Sequence, residues 1–386
     1  MTLYLLVALT CLNHIAFKGS KVLVSLYAIE LGASPVAIGA LFTMYAVFPF
    51  MLAIYAGKVS DRFGMRLPML AGTSGLAVAL SLPYFFPGLP ALYLSAALIG
   101  LFYIFHVVAM QHLVGAIGDA AARTKNYSVY SLGVATSSFV GPLLVGFSID
   151  GLGHGNTYGL LALVPLVPLA ILFSAPNFVP RLSAAVRDRS ARAPGTLWAN
   201  PPLRRILLVG GVIETGGELY TFYLPIYARS IGLSASAIGA IMSTYAVAAL
   251  VIRGLMPALV RLSSEERVLA GALLLSAVTY LLFPFVRSPV LLTAISFMLG
   301  MGLGTCSPLS MILTYNRAPS GRSGEAMGLR QTLNKMSEAS APLVFGAIGS
   351  AVGMLPVFWG SALLLGIGAW ALHYSRDKLD APGSAR

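Results

Sequence analysis

The stretch LGASPVAIGALFTMYAV at residues 31–47 recurs as IGLSASAIGAIMSTYAV at residues 231–247, with nine of the 17 positions identical. The same offset pairs Gly100 with Gly300 without any gap. The chain therefore reads as two halves with matching helices in the same order. Such parallel repeats place a substrate site near the middle of a membrane, between the halves. The alternative is that the duplicated bundle serves only as a membrane scaffold.

The composition around this repeat is that of a membrane protein. Hydrophobic residues make up 57% of the chain and charged residues 10%, with a mean hydropathy of +0.83, whereas a soluble domain carries roughly 25% charged residues. The formal net charge of +12 would suit nucleic-acid binding, but the basic residues are not clustered as a binding groove requires. We therefore expect an all-α membrane protein with no nucleic-acid partner.

Uncharged stretches locate the membrane spans, because a membrane helix needs roughly 20 apolar residues. They predict twelve transmembrane helices in two pseudo-symmetric six-helix bundles. The predicted spans are 3–28, 36–57, 67–86, 90–115, 127–149, 157–175, 203–228, 236–260, 267–286, 289–315, 325–351 and 354–374. The predicted domains are an N-terminal bundle (1–175), a cytoplasmic linker (176–202), a C-terminal bundle (203–375) and a cytoplasmic tail (376–386).

The positive charges predict the orientation of the chain. With both termini in the cytoplasm, 18 of the 25 Lys and Arg residues fall on the cytoplasmic side, as membrane proteins prefer. The N-terminal apolar stretch is interrupted by Asn13, His14 and Lys18 and reads as a retained first helix. The compact outer loops favour a bacterial inner membrane, and we expect a monomer surrounded by the lipid bilayer.

The turn between the second and third spans reads GKVSDRFGMR, residues 57–66. It resembles the G-x-x-x-D-R-x-G-x-[RK] signature of the major facilitator superfamily, and with the repeat, the spans and the long central loop the resemblance covers the whole chain. It implies a secondary transporter of the twelve-helix type, in which Asp61, Arg62 and Arg66 latch a cytoplasmic gate. The alternative is a solvated turn that only anchors the topology.

The fifth predicted span looks like part of a second motif, G-x8-G-x3-G-P-x2-G-G, which marks proton-coupled antiporters of this superfamily. Ser137 and Val145 replace two of its glycines. The remaining match implies efflux by antiport, and Gly141 and Pro142 would permit the close helix packing and the kink that gating needs. The matching positions are Gly133, Gly141, Pro142 and Gly146.

Ionisable residues inside membrane spans are costly and usually face an interior cavity. Nearly all of those found here fall on the helices that line the cavity in the superfamily. The predicted substrate-binding residues are Asn13, His14, Lys18, His106, Tyr130, Arg253, Arg330 and Asn334. The predicted proton-coupling residues are Glu214, Glu218 and Glu338. We expect no metal and no cofactor. His106 is either a proton shuttle or a hydrogen-bonded spacer.

The repeat pairs His14 with Glu214 and Lys18 with Glu218. If helices 1 and 7 approach each other, these residues become opposite charges at similar depth. One interpretation is an ion pair that breaks when the carboxylate takes a proton during the transport cycle. The other is a permanent bridge that neutralises both groups.

The balance of intramembrane charge indicates the substrate class. Five basic residues stand against three acidic ones, which favours an organic anion, because a buried cation needs a partner. The sequence thus predicts a proton-coupled secondary active transporter of a small organic anion that works by alternating access, with efflux preferred. The alternative is a multidrug exporter of cationic or neutral amphiphiles. No nucleophile, metal or nucleotide motif points to an enzyme, and a non-transporting receptor is the remaining class.

Overall fold

The computed structural model describes residues 2–117, 120–175, 195–319 and 323–379, and it contains helices and no strand in these ranges. A short 3-10 turn, Phe283–Phe285, extends α10. The helices are α1 (Thr2–Glu30), α2 (Pro35–Phe63), α3 (Arg66–Phe85), α4 (Leu89–Ala116), α5 (Ala120–Leu163), α6 (Leu166–Ser174), α7 (Gly195–Trp198), α8 (Pro201–Ser230), α9 (Ala235–Leu262), α10 (Glu265–Leu282), α11 (Pro289–Arg317), α12 (Ser323–Val352) and α13 (Met354–Leu379).

Nine helical stretches within the described ranges are long and apolar enough to cross a membrane. One of them, Val129–Ser174, is 46 residues long and covers two predicted spans. It is broken at Gly153, where a φ of 80° interrupts α5. The charge-bearing helices α8 and α12 are not among the nine. The all-helical, multi-span fold is therefore confirmed, while the count of twelve spans stays a prediction.

The duplicated sequence forms the same turn twice. After α1 the Leu31 amide donates to the Tyr27 carbonyl, and after α8 the Ile231 amide donates to the Tyr227 carbonyl. The next residue in each turn is a glycine with a positive φ, 76° at Gly32 and 86° at Gly232. Other residues rarely adopt this left-handed conformation, so glycine is required at both positions.

A helix contact is also duplicated. A Cβ atom on Gly100 would lie 2.6 Å from the Tyr45 carbonyl oxygen, and one on Gly300 would lie 2.3 Å from the Tyr245 carbonyl oxygen. Only glycine allows the two helices to approach this closely. Because both glycines and both tyrosines are paired by the sequence repeat, the two halves reproduce the same packing.

The described residues group into two compact units. The first, termed the N-unit, comprises residues 1–188 together with Phe222–Ser243. The second, termed the C-unit, comprises residues 189–221 and 244–386. The end of α8 and the start of α9 therefore group with the first half of the chain. The predicted linker and tail lie partly outside the described residues, and the predicted domain boundaries stay predictions.

Each unit has an apolar core that joins helices distant in sequence. In the N-unit, Leu6 of α1, Met69 of α3 and Leu113 of α4 are completely buried in one cluster. In the C-unit, Leu203 of α8 and Ala326 of α12 are buried together. Burial of each large aliphatic side chain contributes roughly 1.5–3 kcal/mol. These cores fix the helices that carry the polar residues considered next.

Candidate functional site

Three carboxylates meet inside the C-unit. Glu214 and Glu218 lie one turn apart on α8, and a carboxylate oxygen of each lies within 4.8 Å of one from Glu338 on α12. The side chains of Glu218 and Glu338 are buried. We name Glu214, Glu218 and Glu338 the acidic cluster. Three negative charges at this spacing repel one another strongly in a low-dielectric interior, so the cluster favours a proton or another cation.

Basic residues from α12 approach this cluster. The Lys335 ammonium lies 2.5 Å from a Glu338 carboxylate oxygen. Arg330 is close enough to Glu214 for an electrostatic interaction, and its Nη2 donates to the Ser307 carbonyl at 3.3 Å. Among the predicted substrate-binding residues, the structure thus places Arg330 beside the predicted proton-coupling group.

Several buried polar atoms of the C-unit have no hydrogen-bond partner among the described residues. They include the Nε atoms of Arg253 and Arg330 and the Oδ1 atom of Asn334. Arg330 and Asn334 are each 7% exposed. A buried polar atom without a partner costs about 1–3 kcal/mol, so these positions favour a bound polar group.

The predicted residues of the N-unit form a hydrogen-bonded network, in which Asn13 Oδ1 has no hydrogen-bond partner among the described residues. The Asn13 amide donates to Thr73 Oγ1 at 2.9 Å and lies 3.3 Å from the His106 ring nitrogens. Thr73 Oγ1 is 3.1 Å from His106 Nδ1. His14 Nδ1 contacts the Tyr103 hydroxyl. The structure therefore joins His106 to Asn13, the arrangement expected of a hydrogen-bonded spacer.

The other predicted residues of α1 and α5 lie nearby in the N-unit. Lys18 is where α5 approaches α1, since a Cβ on Gly141 would lie 3.3 Å from the Lys18 Cβ. Tyr130 and His14 line the same small recess. Lys21, one turn further along α1, is 1% exposed, and its ammonium lies 5.8 Å from the ring centroids of Phe17 and Phe42.

The predicted gating residues have different surroundings. The side chain of Asp61 lies outside the described part of the structure. Arg62 is exposed, with its guanidinium 5.3 Å from the Phe63 ring. Arg66 donates from Nε and Nη2 to the Leu172 carbonyl at 3.2 and 3.0 Å, and so caps the end of α6. A cation at this end of a helix is favoured by the exposed carbonyls.

Gly141 and Pro142 are both in close helix contacts. A Cβ on Gly141 would lie 2.9 Å from the Ile15 carbonyl oxygen on α1. The Pro142 carbonyl oxygen lies 2.4 Å from the position of a Cβ on Gly239 of α9. The predicted close packing at the fifth span is thus present on two sides of α5, with α1 and with α9.

Asp150 caps a helix far from it in sequence, a role that the sequence does not indicate. Its carboxylate accepts hydrogen bonds from the Ala235 and Ser236 amides, at 3.1 and 2.9 Å, at the start of α9. Burial raises the pKa of Asp150, but the hydrogen bonds from Ser236 and Ala235 outweigh it and hold the pKa below its usual value. The residue directly follows the predicted fifth span, and no local pattern could reveal a partner 85 positions away.

Three further buried polar residues were missed, namely Thr73, Tyr103 and Ser310. Each lies in an apolar helix, where a lone hydroxyl has no sequence signature that separates it from a packing residue. Thr73 and Tyr103 contact predicted residues directly. Their positions became evident only from the helix packing.

Long apolar helices, a duplicated architecture and charged groups buried among the helices are typical of a multi-span membrane transporter rather than an enzyme. The sequence profile of the Major Facilitator Superfamily matches residues 6–261 and again residues 206–385. The chain belongs to this family.

Relatives of the chain include named drug-resistance proteins. It is 25% identical over 359 residues to the multidrug resistance protein MdtG of Klebsiella pneumoniae (strain 342), covering 90% of this chain and 84% of that one. It is 23% identical over 342 residues to the multi-drug resistance efflux pump PmrA homolog of Lactococcus lactis subsp. lactis (strain IL1403), covering 85% and 82%.

Solved structures share the fold. A crystal structure of the nucleoside transporter NupG superposes with a TM-score of 0.79 at 13% identity, covering 96% of this chain and 99% of that one. A POT family transporter in complex with 5-aminolevulinic acid superposes with a TM-score of 0.81 at 14% identity, covering 98% and 96%. At these identities the likeness concerns the fold alone.

Proposed function

We propose that the protein is a proton-coupled exporter of amphiphilic organic cations. The acidic cluster carries this proposal. Its three carboxylates, on α8 and α12, lie within 4.8 Å of one another and cannot all be ionised without a compensating positive charge. A proton and a cationic substrate would compete for the same position, which is the physical basis of antiport. The names of the multidrug-resistance and efflux relatives support export of drug-like molecules.

The transport cycle follows from this competition. A cationic amphiphile entering from the cytoplasmic side would displace a proton from the acidic cluster, and protonation from the outer side would release it. Lys335, bound to Glu338 at 2.5 Å, and Arg330, which interacts with Glu214, would compensate two of the three carboxylates and leave a single exchangeable positive charge. In this scheme Glu214, Glu218 and Glu338 exchange protons, while Arg66, Gly141 and Pro142 belong to the gates, as do Asp61 and Arg62.

Transport of an organic anion is the second candidate. It is favoured by the buried Nε donors of Arg253 and Arg330, which have no hydrogen-bond partner among the described residues. A carboxylate could accept from either guanidinium. The excess of basic residues in the predicted spans favours the same substrate class.

The proposal also covers where the protein resides. We place it in a bacterial inner membrane, with both termini in the cytoplasm, because most Lys and Arg residues then lie on the cytoplasmic side. Its partners are then the organic substrate, protons and the surrounding lipid, and it acts as a monomer without nucleic acid or cofactor.

Transport in inside-out vesicles with an imposed pH gradient tests the proposal. We expect uptake of a lipophilic ammonium ion and no uptake of an aromatic carboxylate, and the reverse result would favour the organic-anion candidate. Glu218→Gln should abolish the dependence of transport on the pH gradient. Glu265→Gln, a matched loss of a carboxylate outside the acidic cluster, should leave it unchanged. Equal pH dependence in wild type and Glu218→Gln would contradict the coupling role.

A further inference from the structure

Three buried polar atoms of the C-unit point at one position beside Gly210 of α8. A carbon at the Cβ position of Gly210 would lie 3.2 Å from Ser310 Oγ, 3.8 Å from Asn334 Oδ1 and 4.0 Å from Arg330 Nε. None of these atoms has a hydrogen-bond partner among the described residues. Three helices, α8, α11 and α12, thus bring unsatisfied groups to a single point. We name this place the Gly210 subsite.

The burial of these side chains makes the arrangement unusual. Ser310 is completely buried, and Arg330 and Asn334 are each 7% exposed. Buried polar groups in proteins almost always have a hydrogen-bond partner. Three that lack one lie within 4.0 Å of a single point beside a glycine, where one small polar group could satisfy all of them.

The chemistry of the three atoms defines that group. Arg330 Nε is a donor, Asn334 Oδ1 is an acceptor, and the Ser310 hydroxyl can act as either. A hydroxyl or a primary amide satisfies all three, because each both accepts and donates. A carboxylate has no proton to donate to Asn334 Oδ1, so it fits the subsite less well.

The subsite lies one helical turn from the acidic cluster on two helices at once. Gly210 precedes Glu214 by four residues on α8, and Asn334 precedes Glu338 by four residues on α12. Four residues of an α-helix rise about 6 Å. A single molecule could therefore place a cationic nitrogen at the acidic cluster and an oxygen group at the Gly210 subsite.

We propose that the Gly210 subsite selects amphiphilic amines that carry a hydroxyl or amide group about 6 Å from the cationic nitrogen. This inference rests on the proposed export of organic cations and defines its substrate class more closely. Arg330 and Asn334 then contact the oxygen group, together with Ser310, and the acidic cluster binds the nitrogen.

Gly210→Ala tests the subsite, and Gly211→Ala is its matched control. A methyl group at position 210 would occupy the point on which the three atoms converge, and its tightest contact would be 3.2 Å to Ser310 Oγ. At position 211 the methyl group would meet, within the described part of the chain, only Ser337 Oγ, at 3.3 Å. Both changes replace glycine by alanine inside α8, so they affect helix propensity equally.

The probes are a lipophilic ammonium ion and the same ion carrying a hydroxyl group about four bonds from the nitrogen, a spacing that suits one helical turn. Ligand-induced thermal shifts of purified protein give their affinities without any need for transport. We expect wild type and Gly211→Ala to bind the hydroxylated probe about 10-fold more tightly, the effect of one good hydrogen bond. Gly210→Ala should bind the two probes equally.

Three results would overturn the inference in different ways. Equal binding of both probes by the wild type would show that the Gly210 subsite does not bind the hydroxyl group, and the proposed export would stand. Binding of neither probe would remove the proposed function together with the subsite. Retention of the 10-fold preference in Gly210→Ala would place the oxygen-binding group elsewhere.

Discussion

In the N-unit, Asn13, Thr73 and His106 share hydrogen bonds among neutral groups, whereas in the C-unit the acidic cluster adjoins the unsatisfied atoms of Arg330 and Asn334. The predicted spans of the first half contain no Asp or Glu, and those of the second half contain the three cluster residues together with Glu325 at the start of span eleven. The two halves share turns and glycine contacts but bury different chemistry.

This difference separates structural polar groups from functional ones. A neutral network in which most groups are hydrogen-bonded holds helices together and gains little from a ligand, although Asn13 Oδ1 has no partner among the described residues. A cluster of carboxylates with unsatisfied neighbours is stabilised by binding a proton or a substrate. We therefore expect substitutions in the N-unit network to lower stability and substitutions in the C-unit site to lower transport.

The largest effect is expected from Lys335→Ala. Without the ammonium beside Glu338, the carboxylates can no longer all release their protons. Because the Lys335 side chain is 38% exposed, solvent screens the pair, and its loss costs less than the roughly 3–5 kcal/mol of a fully buried pair. Export driven by a pH gradient should fall by a factor on the order of 10 or more. Lys335→Arg keeps the charge and should retain most of the activity. Full transport by Lys335→Ala would show that the acidic cluster works without its bound cation.

Thr73→Val should destabilise the protein by about 1–3 kcal/mol. Valine has the shape of threonine but lacks the hydroxyl group, so Asn13 and His106 lose a buried hydrogen-bond partner. Thermal unfolding of the purified protein measures the effect, and transport per folded molecule should be unchanged. Thr305→Val in the C-unit is the matched control, since among the described residues Thr305 Oγ1 bonds only the Met301 carbonyl of its own helix. A greater loss of stability in the control would contradict the assignment of a structural role to the N-unit network.

Gly100→Ala and Gly300→Ala test whether the two halves share one scaffold. Each methyl group would clash with a tyrosine carbonyl, and we expect each to cost about 1–3 kcal/mol by overpacking. The two losses, measured by thermal unfolding, should be similar. If only one variant were destabilised, the contact duplicated in the sequence would have lost its role in one half.

The smallest effect is expected from Asp150→Ala, which removes the cap of α9 and should cost about 1 kcal/mol at neutral pH. Because the pKa of Asp150 is lower in the folded protein, its stabilisation is complete above the unfolded value of about 3.9 and is lost as the pH falls through the folded value. The difference in melting temperature between wild type and Asp150→Ala should therefore shrink from pH 7 to pH 3. A constant difference would mean that the charge contributes nothing.

The helical membrane fold and the duplication could be predicted because apolar length and repeated residues are local properties of a sequence. The identity of Glu214, Glu218 and Glu338 as buried acids followed in the same way. The residues that surround these acids could not be predicted. Helical periodicity shows which side of a helix is polar, but it does not show which residues of another helix pack against that side. Ser310 lies 100 residues from Gly210, and nothing near either residue records their proximity.

The grouping of Phe222–Ser243 with the N-unit is a second example. The sequence repeat assigns this segment to the second half, and its alignment with the first half is gap-free. Its packing depends on close contacts such as that of Gly239 with Pro142. Such a contact requires the surfaces of two helices to be complementary. The sequence repeat shows that two helices are related, but it does not show which helices pack against each other.

The paired turns at Gly32 and Gly232 have a consequence for how such a protein can diversify. Both turns contain a glycine in the left-handed backbone conformation, with equivalent amide donors around it. The helices that precede the turns differ, because α1 contains buried cations and α8 contains buried carboxylates. The point where the chain reverses direction is thus independent of the chemistry beside it. One half of a duplicated transporter can therefore change its buried charged residues while both halves keep the same turn.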